Sequence, residues 1–97
     1  MLLFSMIESF KHKGLKRFFE QDDRSKTPSE MAEKIALVLM ALENAETMDD
    51  LNRPSFRLHP LKGDLRGFWA VTIRANWRII FRFENGKAFD VDLVDYH

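Results

Sequence analysis

Residues 67–97 read GFWAVTIRANWRIIFRFENGKAFDVDLVDYH, and this stretch decides the fold. Apolar side chains recur at every second position: Trp69, Val71 and Ile73, then Trp77, Ile79, Phe81 and Phe83, then Phe89, Val91 and Leu93. Side chains alternate across a strand, so each run predicts a β-strand with one continuously apolar face. The strands are expected over 67–73, 77–83 and 88–94. Glu84-Asn85-Gly86-Lys87 is a hairpin signal between the last two. Keeping the apolar faces together pairs Phe83 with Phe89, Phe81 with Val91 and Ile79 with Leu93. The connection is then a longer loop with Gly86 in the left-handed region, not a two-residue turn. Arg82 meets Asp90 on the other face, which gives Arg82 a structural role. In the preceding hairpin, Trp69, Val71 and Ile73 pair with Phe81, Ile79 and Trp77. Thr72 faces Arg78, and Arg74 lies in the connecting loop. The start of the middle strand and the ends of its neighbours share one sheet edge. Arg74, Arg78, Asp95, Tyr96 and His97 should therefore cluster there.

Upstream the period changes. Met6-Ile7-Glu8-Ser9-Phe10 alternates and suggests a short strand, followed by the basic turn Lys11-His12-Lys13-Gly14. Leu15, Phe18 and Phe19 have helical spacing, which predicts a short helix over 14–22. In Thr27-Pro28-Ser29-Glu30, Thr27 is placed to cap, Pro28 suits the first helical position and Glu30 closes a capping box. Met31, Ile35, Val38, Leu39 and Leu42 continue as a helical stripe to about Asn44. Phe56-Arg57-Leu58 reads as a further short strand. Helical stripes followed by alternating strands give an α+β fold class.

The 97 residues suit a single domain over 1–97. Met6 is an alternative start, which would make residues 1–5 a dispensable extension. The chain has no cysteine, which excludes disulfides, thiolate nucleophiles and cysteine-based zinc sites and fits a cytoplasmic location. Its apolar runs are too short to span a membrane. Net charge is zero but unevenly spread. Residues 28–52 hold six carboxylates against Lys34 alone, and residues 56–87 hold seven Lys and Arg against two carboxylates. The basic part can attract a polyanion although the whole is neutral.

The chemistry-bearing residues lie in two places. One is the terminal trio Asp95-Tyr96-His97; the other is Leu58-His59-Pro60-Leu61-Lys62-Gly63-Asp64. Imidazole titrates near neutral pH and serves as acid or base. Arg presents a planar fork to phosphate oxygens, and Lys a point charge. Tyr stacks on a base or bonds to phosphate. None has metal-ligand spacing, so no metal and no other cofactor is expected. The set fits phosphodiester cleavage, in which a 2′-hydroxyl attacks, the 5′-oxygen leaves protonated and the phosphorane charge is stabilised. Lys11 and Lys13 are expected to touch RNA phosphates through charge.

Four stretches resemble one family in order. They are 6–15 (MIESFKHKGL), 57–64 (RLHPLKGD), 74–79 (RANWRI) and the terminal Asp95-Tyr96-His97. Together they resemble the HigB killer proteins among the RelE/ParE-like toxins of bacterial type II toxin–antitoxin systems. The resemblance implies two N-terminal helices packed on one face of a small, mainly antiparallel twisted β-sheet, and an endoribonuclease that enters the ribosomal A site and cuts the mRNA codon there. It implies a HigA-type helix-turn-helix antitoxin, with operator DNA contacted only through the toxin–antitoxin complex. By motif, His59 and Lys62 would lie near the scissile phosphate, and Arg78 would stabilise the transition state. Asp95, Tyr96 and His97 match the catalytic tail. His97 and Asp95, supported by His59, would transfer protons, and Tyr96 would position the nucleotide. The family tail is typically Tyr-Glu-Asp-Tyr-His, whereas Leu93-Val94 precedes the trio here. The alternative is a toxin on this scaffold without RNase activity, either a gyrase poison or an inactive corepressor. A gyrase poison needs no terminal histidine and no His/Lys loop.

Overall fold

A computed structural model describes residues 6–96. The expectations for residues 1–5 and for His97 lie outside the described residues. Two helices, α1 (Lys13–Gln21) and α2 (Ala32–Asn44), precede four strands: β1 (His59–Pro60), β2 (Trp69–Arg74), β3 (Trp77–Glu84) and β4 (Lys87–Asp95). The strands form one antiparallel sheet in the order β1-β2-β3-β4.

Helix α1 begins one residue before the expected start, because His12 caps it. The extended His12 accepts the Leu15 N–H on Nδ1 at 3.0 Å, which satisfies a first-turn donor. The helix stops at Asp22, which is left-handed (φ 53°) and donates its N–H to the Arg17 carbonyl. For α2 the expected capping box is absent. Thr27 is buried, and its Oγ1 donates to the Arg24 carbonyl at 3.2 Å, so that oxygen is turned away from the helix. A 3-10 turn over Ser29–Met31 leads into the helix instead. A real capping box forms later, where Thr47 and Asp50 close the 3-10 turn Met48–Leu51.

The expected strand at 56–58 is also corrected. Pro54–Phe56 is a 3-10 turn, and Arg57 is left-handed (φ 49°), which breaks any extended run. Extended pairing starts only at His59, which lies opposite Ala70. Pro60 lacks an N–H and is tolerated because β1 is an edge strand.

Register is where the alternation rule miscounts. Ile79 pairs with Leu93 as expected, but Phe83 pairs with Ala88 and Arg82 with Phe89. A bulge between Ile80 and Arg82 puts one extra residue into β4, with Asp90 left-handed (φ 54°). The bulge lets a two-residue turn, Asn85-Gly86, coexist with the inner pairing. Both turn residues have positive φ (52° and 76°), as Asn-Gly allows. The Arg82–Asp90 contact does form, at 3.0 Å. In the β2–β3 hairpin, Trp69–Phe81, Val71–Ile79 and Thr72–Arg78 pair as expected. A second bulge then pairs Trp77 with Arg74, so Arg74 ends β2 and the loop shrinks to Ala75-Asn76.

The expected strand at 6–10 makes two parallel bridges along the outer edge of β4, Ile7 with Ala88 and Phe10 with Val91. Ser9 Oγ accepts the Asp90 N–H at 2.9 Å, pinning the bulge. Each sheet face has its own core. The larger cluster joins Leu15 and Phe18 of α1, Ile35, Val38, Leu39 and Leu42 of α2, and the Val71, Ile79, Phe81 and Val91 side of the sheet. On the opposite face, Leu61, Ala70 and Ile80 are buried, and Leu65, Phe68 and Val94 pack against them. Among the described residues no helix is long and apolar enough to cross a membrane.

Candidate functional site

The sheet face that carries Ala70 and Ile80 also carries His59 and Arg78. Directly paired residues in an antiparallel sheet point to the same side. One row across the sheet is His59, Ala70, Ile80 and Asp92, and the next is Thr72, Arg78 and Val94. His59 and Arg78 therefore share a face. Two strand spacings and two residues separate them, roughly 12 Å between Cα atoms.

Arg78 is half-buried at the start of β3. Its Nη1 donates to the Ala75 carbonyl at 2.6 Å and to the Trp77 carbonyl at 3.3 Å. Its Nε is buried and, among the described residues, has no hydrogen-bond partner. A buried donor without an acceptor costs free energy, about 1–3 kcal/mol when unsatisfied. An anion placed there would remove that cost and accept from the guanidinium fork.

His59 is held by its backbone neighbour. Nδ1 lies 2.8 Å from the Arg57 carbonyl oxygen, which can only accept, so Nδ1 carries the proton. The neutral ring then offers a lone pair at Nε2, the form of a general base, and the imidazolium offers a proton there. Arg57 reaches the required geometry through its left-handed backbone.

Lys62 opens a compact loop next to His59. Leu61 N–H bonds to the Phe68 carbonyl at 2.9 Å, and Gly63 (φ 67°) and Gly67 (φ 96°) make the reversals. Leu61, Leu65 and Phe68 peg the loop onto Ala70 and Ile80. Lys62 is exposed at the start of this loop.

The tail meets the β2–β3 turn. Tyr96 N–H donates to the Asn76 carbonyl at 2.8 Å, and Asp95 lies opposite Trp77. The chain end, Arg74 and the base of Arg78 thus converge on one sheet edge. Their faces differ. Asp95 shares its side with Leu93 and Trp77, the side of the helices, whereas Val94 lies with Arg78. Tyr96 is exposed and follows β4. Arg74 is exposed at the end of β2. Lys11 and Lys13 are exposed beside the outer edge of β4, where Lys11 N–H bonds to the Val91 carbonyl. His12 between them is a helix cap, not only a surface charge.

The residues that residue-by-residue reading missed are the pegs that seat the loop. A signal was present: Ala70, Ile80 and Val94 are apolar on the face opposite the continuously apolar one. Two carboxyls have clearly shifted acidity, and both lie outside this face. Asp23 is held well below the usual range by the Ser25 hydroxyl, the Ser25 N–H and Arg17. Asp50 is lowered by the Glu46 and Thr47 N–H groups that it caps.

The chain is thus a small α+β protein with His59 and Arg78 on one sheet face and Tyr96 at the edge of that sheet. Comparison with known proteins narrows the class. The family model of the RelE-like toxin HigB of type II toxin–antitoxin systems matches residues 8–97. "Endoribonuclease HigB" of Proteus vulgaris is 49% identical over 92 residues, covering 95% of this chain and 100% of that protein. "Toxin HigB-1" of Vibrio cholerae serotype O1 (strain ATCC 39315 / El Tor Inaba N16961) is 31% identical over 90 residues, covering 91% of this chain and 95% of that protein. The chain belongs to the HigB family of RelE-like toxins of type II toxin–antitoxin systems.

Proposed function

We propose that this toxin is a metal-independent, ribosome-dependent endoribonuclease that cleaves mRNA in the ribosomal A site. The observation that carries the reading is the guanidinium of Arg78, whose buried Nε has no hydrogen-bond partner among the described residues and which shares a sheet face with His59 and the Lys62 loop. The full-length match to an endoribonuclease supports it.

The scissile phosphate lies at the sheet edge where Tyr96 meets the β2–β3 turn, within reach of Arg78 from one face and Asp95 from the other. His97, Asp95 and His59 share the proton transfers. One removes the 2′-hydroxyl proton as that oxygen attacks phosphorus, and another protonates the departing 5′-oxygen. The 2′,3′-cyclic phosphate forms as the P–O5′ bond breaks. Arg78 and Lys62 hold the added negative charge of the phosphorane. Tyr96 stacks against the nucleotide. Arg74, Lys11 and Lys13 add non-specific phosphate attraction.

The domain spans the chain, with residues 1–5 dispensable, and its two helices pack on one face of a twisted sheet. A HigA-type antitoxin neutralises the toxin, and the complex reaches operator DNA through the antitoxin. The toxin acts in the cytoplasm, where ribosomes and mRNA are.

The test is primer extension on a defined mRNA in a purified translation system, with and without ribosomes, using wild type, His97→Ala and Arg78→Ala. In-frame cuts that need ribosomes and vanish in the variants support the mechanism. Absence of cutting by folded, antitoxin-free wild type refutes it and turns attention to gyrase.

A further inference from the structure

We propose that the outward face of α2, centred on Leu37 and Met40, is the docking surface for the antitoxin. The antitoxin would seat an apolar side chain there, flanked by lysine or arginine. This rests on membership of the toxin family and not on the nuclease reading.

The outward positions of α2 are Glu33, Leu37, Met40 and Asn44, a single stripe at helical spacing. Its middle is apolar where solvent would favour charge. Leu37 is 43% exposed and Met40 63%; among the described residues only Tyr96 is another exposed large apolar side chain. Met40 stands between two clefts. One, of about 230 Å³, runs between α1 and α2 and is floored by Phe18, Phe19 and Leu39. The other, of about 310 Å³, is bounded by Leu37, Met40 and Ala41 on one side and by Asp50 and Arg53 on the other. An unbranched methionine beside two recesses can repack around an inserted side chain.

Charge selects the occupant. Asp22, Glu43 and Asp50 line the two clefts and Glu33 lies in the stripe, against Arg24 and Arg53, so the surface around Met40 carries an excess of carboxylates. This field repels RNA and anionic lipid alike and favours a cationic partner. The family supplies a protein partner, the antitoxin. The stripe sits on the far side of the sheet from Arg78 and His59, so docking there is separate from the face proposed for RNA.

The probe is the purified antitoxin encoded with this toxin, measured by calorimetry against wild type, Leu37→Ser/Met40→Ser, Glu33→Lys/Glu46→Lys and Arg78→Ala. Both α2 variants should weaken binding, the apolar one at least tenfold, about 1.4 kcal/mol. Arg78→Ala should bind as wild type, and added salt should weaken the wild-type complex. Toxicity of the apolar variant expressed without antitoxin checks that it folds. If it does not, Met40→Ser alone carries the test. Unchanged affinity in the folded apolar variant overturns the proposal. So does tighter binding by the charge-reversed variant, or loss of binding in Arg78→Ala. A wild-type dimer that the apolar variant abolishes assigns the stripe to a second copy and also overturns it. Failure of the RNase assay leaves these binding outcomes intact and refutes only the nuclease reading.

Discussion

Gly14→Ala should destabilise this protein, although helix propensity argues the opposite. Gly14 lies in the first turn of α1 and is not among the positive-φ residues, so its backbone does not require glycine. In a free helix the change would stabilise by about 1 kcal/mol. Packing reverses the sign. A Cβ at Gly14 would stand 2.8 Å from His12 Cε1, 2.9 Å from Lys26 Cβ and 3.0 Å from the Lys26 carbonyl oxygen. Two of these obstacles belong to a loop tied by the Thr27 and Asp23 hydrogen bonds. The third is the ring that caps the helix through Leu15 N–H. Swinging that ring away forfeits a cap worth about 1 kcal/mol. Moving the loop costs about 1–3 kcal/mol, as overpacking generally does. Subtracting the propensity gain leaves a net loss of about 1–3 kcal/mol. Each kcal/mol lowers the melting temperature of a domain this size by about 4–8 °C. Urea denaturation of wild type and Gly14→Ala, with equal m-values, measures the difference directly. A variant as stable as wild type, or more so, would refute the packing argument and show that α1 and the 22–27 loop separate freely.

Other outcomes follow from the same structure. Arg78→Lys should lower ribosome-dependent cleavage by about 10²-fold, because a point charge cannot replace the fork at a developing phosphorane; steady-state kinetics decides it. Val94→Ala loosens the small core that joins the tail to the Lys62 loop, so kcat should fall several-fold with KM little changed, and Val94→Ile should restore it. A change confined to melting temperature would make that core merely structural. Asp23 has a lowered folded pKa, so its stabilising contribution is full above the ordinary carboxylate value near 4 and is lost as pH falls through the folded value. Asp23→Asn should therefore cost stability at pH 6, and the gap to wild type should narrow below about pH 4 in paired urea titrations.

Much of this was determined by the sequence alone. The strands at 69–95 and both helices were legible because alternation and helical spacing report which side of an element is buried. Matching apolar faces led to the Arg82–Asp90 contact, which the bulge rather than direct pairing provides, and to the convergence of the tail with the β2–β3 turn. The resemblance carried by the Lys11-His12-Lys13-Gly14 turn, the His59–Lys62 loop and the chain end led to the toxin family. Tertiary structure decided the rest. A period of two cannot count an inserted residue, so both bulges, the tight Asn85-Gly86 turn and the position of Arg74 were invisible. Thr27 had the chemistry of a cap, yet burial turned its hydroxyl toward Arg24. The 56–58 run looked extended until Arg57 took a left-handed conformation. The loop that carries Lys62 is held by Leu61, Leu65 and Phe68 against Ala70, Ile80 and Val94. Those residues lie far apart in the chain and meet only because the sheet buries apolar surface on its second face as well. Local patterns encode which face a residue prefers; which residues share that face depends on register, and register is settled by the packing of the whole sheet.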